Sequence, residues 1–204
     1  MREVADMTRE QAVAFFLFSV AAAGTPGPSN VLLMATGAQV GVRRGLGCLL
    51  GVGLGMAVMM FVVAFGLGSV ILGAPILLRI MKWCGAAFLL WLAWKIATAR
   101  PPGEGAEPKP VGFAGAAAFQ WVNPKSWLVC ASAAATFLDR QAGSALGQSA
   151  ALGLVFLAAC LPSCLPWLAF GAAMQRALRS PRAFRLFNGV MAALLAASVV
   201  LFVR

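Results

Sequence analysis

Two short stretches combine polar side chains with prolines inside otherwise apolar runs. The first is Gly24-Thr25-Pro26-Gly27-Pro28-Ser29-Asn30 and the second is Gln120-Trp121-Val122-Asn123-Pro124-Lys125. Proline lacks an amide N–H and glycine has poor helix propensity, so each stretch interrupts a helix and frees backbone carbonyls. Such carbonyls do not face lipid; they face protein, or a wet cavity where they can hold a ligand. Thr25, Ser29 and Asn30 add polar groups at the first break, and Asn123 and Lys125 add an amide and an ammonium at the second. An ammonium at the centre of a membrane helix costs ~2.5–3.5 kcal/mol on the insertion scale, so Lys125 needs a partner or a path to water. The competing explanations are a plain kink at the first stretch and a lysine snorkelling to the interface at the second. On the functional reading, Lys125 and amide N–H groups at the broken ends suit a carboxylate. The freed carbonyls, with Asn30 and Asn123, suit an ammonium. The candidate binding residues are Thr25, Pro26, Gly27, Pro28, Asn30, Asn123, Pro124 and Lys125.

Other chemistry is excluded or subordinate. The chain has no histidine and no tyrosine, which removes imidazole metal sites and the Ser-His-Asp and Cys-His arrangements. Its five cysteines, Cys48, Cys84, Cys130, Cys160 and Cys164, lie in apolar stretches and form no zinc-type CxxC pair, so they read as buried free thiols. Cys160 and Cys164 share a helix face, although bridging along an intact helix is geometrically poor. No catalytic residue, metal site or cofactor is expected. Gly47, Gly51 and Gly55 recur every four residues, a face that lets another helix approach closely. Pro162 and Pro166 imply a kink in a further helix, with Trp167 packing across it or capping a ligand.

The elements that position these groups are set by composition. Of 204 residues, 61% are hydrophobic and 11% charged, too few charges to coat a soluble domain of this size. The apolar runs mark six transmembrane spans at about 11–35, 45–72, 76–97, 113–138, 146–174 and 183–203. The first has mixed charges on its flank and continues past Pro28, so it reads as a retained helix rather than a signal peptide. The net charge of +10 does not indicate nucleic acid, because the basic residues sit between apolar spans. Nine lysines and arginines follow the odd spans: Arg43, Arg44, Lys95, Arg100, Lys109, Arg176, Arg179, Arg182 and Arg185. Six lie on the opposite side: Arg2, Arg9, Arg79, Lys82, Arg140 and Arg204. That asymmetry places the odd joints in the cytoplasm and both termini in the periplasm.

The polar stretch 100–110, rich in Pro, Gly and Glu, divides the chain into halves of three spans. The breaks fall in spans one and four, and Gly85-Ala86-Ala87-Phe88-Leu89-Leu90 of span three has a counterpart in Gly189-Val190-Met191-Ala192-Ala193-Leu194-Leu195 of span six. Three spans per half force the second half to insert upside down. The expected fold is therefore an all-α polytopic membrane protein: one transmembrane domain over 1–204, with inverted repeats at about 1–98 and 113–204 joined by a loop at about 99–112, and with helices 1 and 4 broken.

Thr25-Pro26-Gly27-Pro28 with Asn30, the glycine-spaced second span, Lys82-Trp83-Cys84-Gly85-Ala86-Ala87-Phe88-Leu89, and Phe113 through Asn123-Pro124-Lys125 together resemble the LysE/RhtB amino-acid exporters, collinearly over nearly the whole chain. Trp91-Leu92-Ala93-Trp94-Lys95-Ile96-Ala97-Thr98 and Gly55-Met56 look like the subgroup that exports cysteine and O-acetylserine. The resemblance implies efflux of an amino acid or derivative across a bacterial inner membrane, driven by the proton gradient, from oligomers of a six-helix fold. Many members of that family carry Asp where Met56 stands, and no buried carboxylate that could carry a proton is evident in this chain. The alternatives are a membrane thiol/redox conductor, a non-transporting scaffold subunit for which the glycine face is the main feature, and, least supported, an intramembrane hydrolase with no base for its nucleophile.

Overall fold

The computed structural model describes residues 7–67, 73–99, 110–139, 144–177 and 180–203. Its elements are α1 (Arg9–Gly24), α2 (Pro28–Val62, continued by a π-helical turn Val63–Leu67), α3 (Pro75–Ala97), α4 (Phe113–Val122), α5 (Pro124–Phe137), α6 (Ala145–Ala177) and α7 (Pro181–Val203). The 100–109 loop, with Arg100 and Lys109, lies outside the described residues, as do Arg2, Arg140, Arg179 and Arg204.

Local rules account for where these helices start and stop. A reciprocal pair opens α1: the Gln11 amide donates to Thr8 Oγ1 at 3.2 Å, and the Thr8 amide donates to Gln11 Oε1 at 2.9 Å. Residues before proline are pushed out of the α region, and three such residues make the two breaks. Thr25 before Pro26 has φ −64° and ψ 135°, Gly27 before Pro28 is fully extended, and Asn123 before Pro124 has φ −85° and ψ 115°. Pro28 and Pro124 then open α2 and α5, where a missing N–H costs no hydrogen bond.

One boundary differs from the sequence expectation. Spans one and two were expected to be separated by a joint between Ala35 and Gly45, but α2 stays helical to either side of a single residue, Gly41. Gly41 has φ 75° and ψ 177°, a conformation open to glycine and strained for L side chains. The chain folds back there. Thr36 Oγ1 and Cys48 Sγ are 3.7 Å apart, whereas twelve residues of straight helix would separate them by ~18 Å. The two arms also run past α6 in opposite directions. Asn30 meets Cys164 and Gly37 meets Leu168 on the first arm; Gly45 meets Leu168 and Gly53 meets Leu157 and Leu161 on the second.

The arms of α2 pack mainly against α6 and α4, α1 packs against α6, and α3 packs against α7. Gly51 and Gly55 seat α4. A Cβ at Gly51 would collide with the Phe113 carbonyl oxygen, and one at Gly55 would stand 2.8 Å from Ala117 Cα and 3.1 Å from Gln120 Cγ. Gly47 is looser, its nearest approach being 3.9 Å to Phe113 N. The helix α6 remains helical through Pro162 and Pro166, with Ser163 Oγ donating to Ala159 O at 2.7 Å.

The outer surface is apolar as well: Leu17, Ile76, Trp94, Leu128 and Leu186 are each more than 60% exposed. Helices apolar on both faces need a solvent other than water. Among the described residues, Pro28–Gly66, Ala145–Met174 and Pro181–Val200 are long and apolar enough to cross a membrane, and Phe113–Val122 is a shorter apolar helix.

Candidate functional site

The two breaks meet. Lys125, in the first turn of α5, reaches across to the first break and donates from Nζ to Thr25 O at 2.5 Å. Its stem lies over Gly27, where a Cβ would come within 2.8 Å of Lys125 Cδ and 3.2 Å of Nζ. Only a residue without a side chain leaves that path open.

The carbonyls at the end of α1 are taken up one by one. Ala21 O accepts from the Thr25 amide at 3.0 Å and from Thr25 Oγ1. Asn30 Nδ2 donates to both Ala23 O and Thr25 O at 2.9 Å, so one buried amide splints the break. Gly24 O accepts from Trp167 Nε1 at 3.2 Å, which places Trp167 against the break rather than across its own helix. Buried carbonyls need such partners, because an unpaired one costs ~1–3 kcal/mol.

At the second break, Asn123 Oδ1 accepts from the Lys125 amide at 3.1 Å, capping α5. Asn123 Nδ2 donates to Ser29 Oγ at 2.9 Å. Ser29 Oγ in turn donates to Gln120 Oε1 at 3.0 Å, and Ser126 Oγ donates to the same oxygen at 3.0 Å. Gln120 Nε2 is held by Ala116 O at 3.0 Å. Four side chains thus tie the start of α2 to the helices on both sides of Asn123.

Between the breaks lies a cavity of about 30 Å³. Its wall includes Gly27, Asn30, Asn123 and Lys125 from the sequence candidates, together with Ser29, Gln120 and Ser126. Thr25 reaches it through the carbonyl that holds Lys125, and Pro26, Pro28 and Pro124 shape the backbone rather than line it. A water needs ~10–15 Å³ by this measure, so the space takes two or three waters and no amino acid without widening. Lys125 is the one charged residue among the lining residues, and no carboxylate stands with it. Among the described residues, no three Cys, Asp or Glu side chains gather in a form that could hold a metal ion.

The glycines Gly47, Gly51 and Gly55 do not line the cavity; Gly51 and Gly55 fix α4, and with it Gln120. Sequence reasoning noted Ser29 and Gln120 only as polar neighbours, and it missed Ser126, Met56, Cys160 and Cys164 on the wall. A signal was present in α6. Positions 160, 164 and 167 share one helical face, and that face carries two thiols and an indole toward the break. Cys84, expected to be buried, is exposed on the apolar surface, while the other four thiols are buried.

Comparison with known proteins gives a consistent result. The family model for the LysE type translocator matches residues 20–204. A cysteine/O-acetylserine efflux protein of Salmonella typhimurium (strain LT2) is 36% identical over 171 residues, covering 81% of this chain and 85% of that one. A cysteine/O-acetylserine efflux protein of Escherichia coli (strain K12) is 35% identical over 132 residues, covering 65% and 68% of the two chains. No solved structure matches the chain.

Proposed function

The chain belongs to the LysE type translocator family, and from that premise we propose that it is a secondary exporter carrying a small amino acid or amino-acid derivative out across the inner membrane. The observation that carries this reading is the meeting of the two helix breaks at Lys125 and Thr25, around a cavity lined by amides, hydroxyls and one ammonium. The substrate carboxylate takes the Lys125 ammonium from Thr25 O, and carbonyls with Asn30 and Asn123 receive the substrate ammonium. Thr25, Gly27, Asn30, Asn123 and Lys125 form the site, with Pro26, Pro28 and Pro124 holding it open to the ligand.

Counted with α1 and the first arm of α2 as one interrupted crossing, the second arm of α2 as the next, and α4–α5 as another interrupted crossing, the helices read as six passes in two inverted halves. Alternating access then rocks one half against the other around the breaks. The proton gradient is the proposed driving force. The substrates named for the relatives, cysteine and O-acetylserine, have uncharged side chains and suit a wall without a carboxylate. Counterflow with purified protein in proteoliposomes tests the reading. Cysteine or O-acetylserine should exchange and lysine should not, and the absence of exchange by any amino acid would end it.

One observation favours a second reading. Cys160 and Cys164 place their sulfurs 3.7 Å apart beside the cavity, as a thiol conductor of electrons would need. A variant without thiols separates the two readings.

A further inference from the structure

The proposed exporter site has a sulfur-rich wall outside the residues assigned to the amino acid. Cys160 and Cys164 lie one turn apart on α6 with their sulfurs 3.7 Å from each other. Both are at least 98% buried, and both line the cavity together with Met56 from the second arm of α2. Cys164 Sγ is also 3.6 Å from Asn30 Oδ1, an oxygen that could complete a coordination shell.

The sulfur separation matches chelation of a single ion. Two metal–sulfur bonds of ~2.3 Å whose sulfurs are 3.7 Å apart enclose an angle of ~107°. Two thiols and a thioether form a soft donor set, which selects thiophilic d¹⁰ ions over magnesium, calcium or manganese. Charge narrows the choice further. Binding releases two thiol protons, and two thiolates with a monovalent cation sum to −1, which the Lys125 ammonium on the same wall offsets. A divalent ion would leave the site with the single positive charge that Lys125 already carries, whereas a monovalent ion makes it neutral. Volume agrees, since about 30 Å³ admits an ion without rearrangement but no amino acid. We propose that the cavity between the helix breaks is a binding site for a monovalent thiophilic metal ion, held by Cys160, Cys164 and Met56, and that this ion blocks export by occupying the substrate's place. The blocking half of the proposal rests on the exporter reading; the binding half does not.

Silver(I) is the probe, in a Cys84→Ser background because the exposed Cys84 thiol would bind silver by itself. Purified protein is loaded with silver nitrate in chloride-free buffer, desalted, and assayed for retained silver. About one ion per chain is expected, falling at least tenfold with Cys160→Ser or Cys164→Ser and less steeply with Met56→Leu. The Cys130→Ala variant, which removes a buried thiol outside the cavity wall, should retain silver fully. Thermal unfolding in detergent checks that each variant is folded. Retention that ignores Cys160 and Cys164 would overturn the site, and equal retention of zinc would overturn its assignment to a monovalent ion. In proteoliposomes, silver should stop counterflow in the Cys84→Ser protein and spare the Cys160→Ser variant; silver that binds without stopping counterflow overturns the block. A protein that retains silver through these thiols but exchanges no amino acid in any condition would instead sink the exporter reading and leave the metal site standing.

Discussion

At the scale of single residues, Lys125 carries the sharpest expectation. Its ammonium is held by the Thr25 carbonyl, and among the described residues no carboxylate on the cavity wall competes for it. If a substrate carboxylate replaces that carbonyl, Lys125→Met keeps the stem over Gly27 and removes only the charge. Half-saturation in counterflow should then rise at least tenfold while insertion and folding persist. Lys125→Arg should recover part of the loss, since charge is kept on a larger, planar group. An unchanged half-saturation in the Met variant would reduce Lys125 to a helix-break staple. The thiols give a second expectation. Cys164 Sγ makes only long contacts at the first break, 3.7 Å to Ala23 O and 3.6 Å to Asn30 Oδ1, and the shorter N–H donors there and at the second break come from Asn30, Trp167, Lys125 and the amide capped by Asn123. A variant with all five cysteines replaced by Ala or Ser should therefore export, and should do so in the presence of silver. If it folds and loses all flux, the redox reading gains the ground. Lys125 was legible in the sequence because an ammonium inside an apolar run is conspicuous. Cys160 and Cys164 were legible only as sharing a face with Trp167, because a thiol in an apolar helix looks the same whether that face meets lipid, a neighbouring helix or a cavity.

At the scale of elements, the prolines were readable and the glycine turn was not. A residue before proline is disfavoured in the α region, which accounts for the breaks at Thr25, Gly27 and Asn123, although Leu161 and Leu165 stay helical before Pro162 and Pro166 inside α6. The fold-back at Gly41 depends instead on the arms finding partners. Both arms are good apolar helices, and one glycine among several gives no local sign that it is the one turned to positive φ. The glycine face shows the same division. Spacing indicated a face, but only packing distinguishes its members, and Gly47 is nearly free while Gly51 and Gly55 touch α4. This sets an expectation for Gly51→Leu against Gly53→Leu. At Gly51 the new side chain meets the Phe113 carbonyl, which cannot yield without moving α4 and Gln120 with it. At Gly53 it meets the ends of the Leu161 and Leu157 side chains, at 2.8 and 3.1 Å, which can change rotamer. Overpacking against mobile side chains costs ~1–3 kcal/mol. Gly53→Leu should lower the unfolding temperature modestly and keep transport, whereas Gly51→Leu should lose folding or flux. Equal effects would show that the Gly51 face is not a packing surface.

At the scale of the whole molecule, the helices sort the basic residues by end. Gln39, beside the Gly41 turn, shares a small pocket with Lys95 at the end of α3 and with Val111 before α4. Met34 and Gly37 lie against Gly171, Leu168 and Ala172, so the last turns of α6 approach the same end. Arg43 and Arg44 follow the turn directly, and Arg182 and Arg185 open α7 just beyond α6. At the other end, the rings of Phe15 and Phe18 in α1 pack at a tilt against Phe137 at the close of α5, and Gly153 near the start of α6 packs on Ala57. Arg9 at the start of α1 and Arg79 and Lys82 in the first turns of α3 belong to the other end, so the bias is an excess; the richer end should be the cytoplasmic one, because translocating a lysine- or arginine-rich joint is disfavoured. The 100–109 loop, with Arg100 and Lys109, leaves α3 and enters α4 at the basic end and should follow it. We therefore expect a single cysteine placed at position 103 of the thiol-free variant to resist a membrane-impermeant maleimide in intact cells and to react once the inner membrane is opened. A cysteine at Gly73, between α2 and α3, should react in cells whose outer membrane alone is permeable. If position 103 reacts from the periplasm and position 73 does not, the orientation is inverted, and the nine-to-six asymmetry of Lys and Arg was too small to set it.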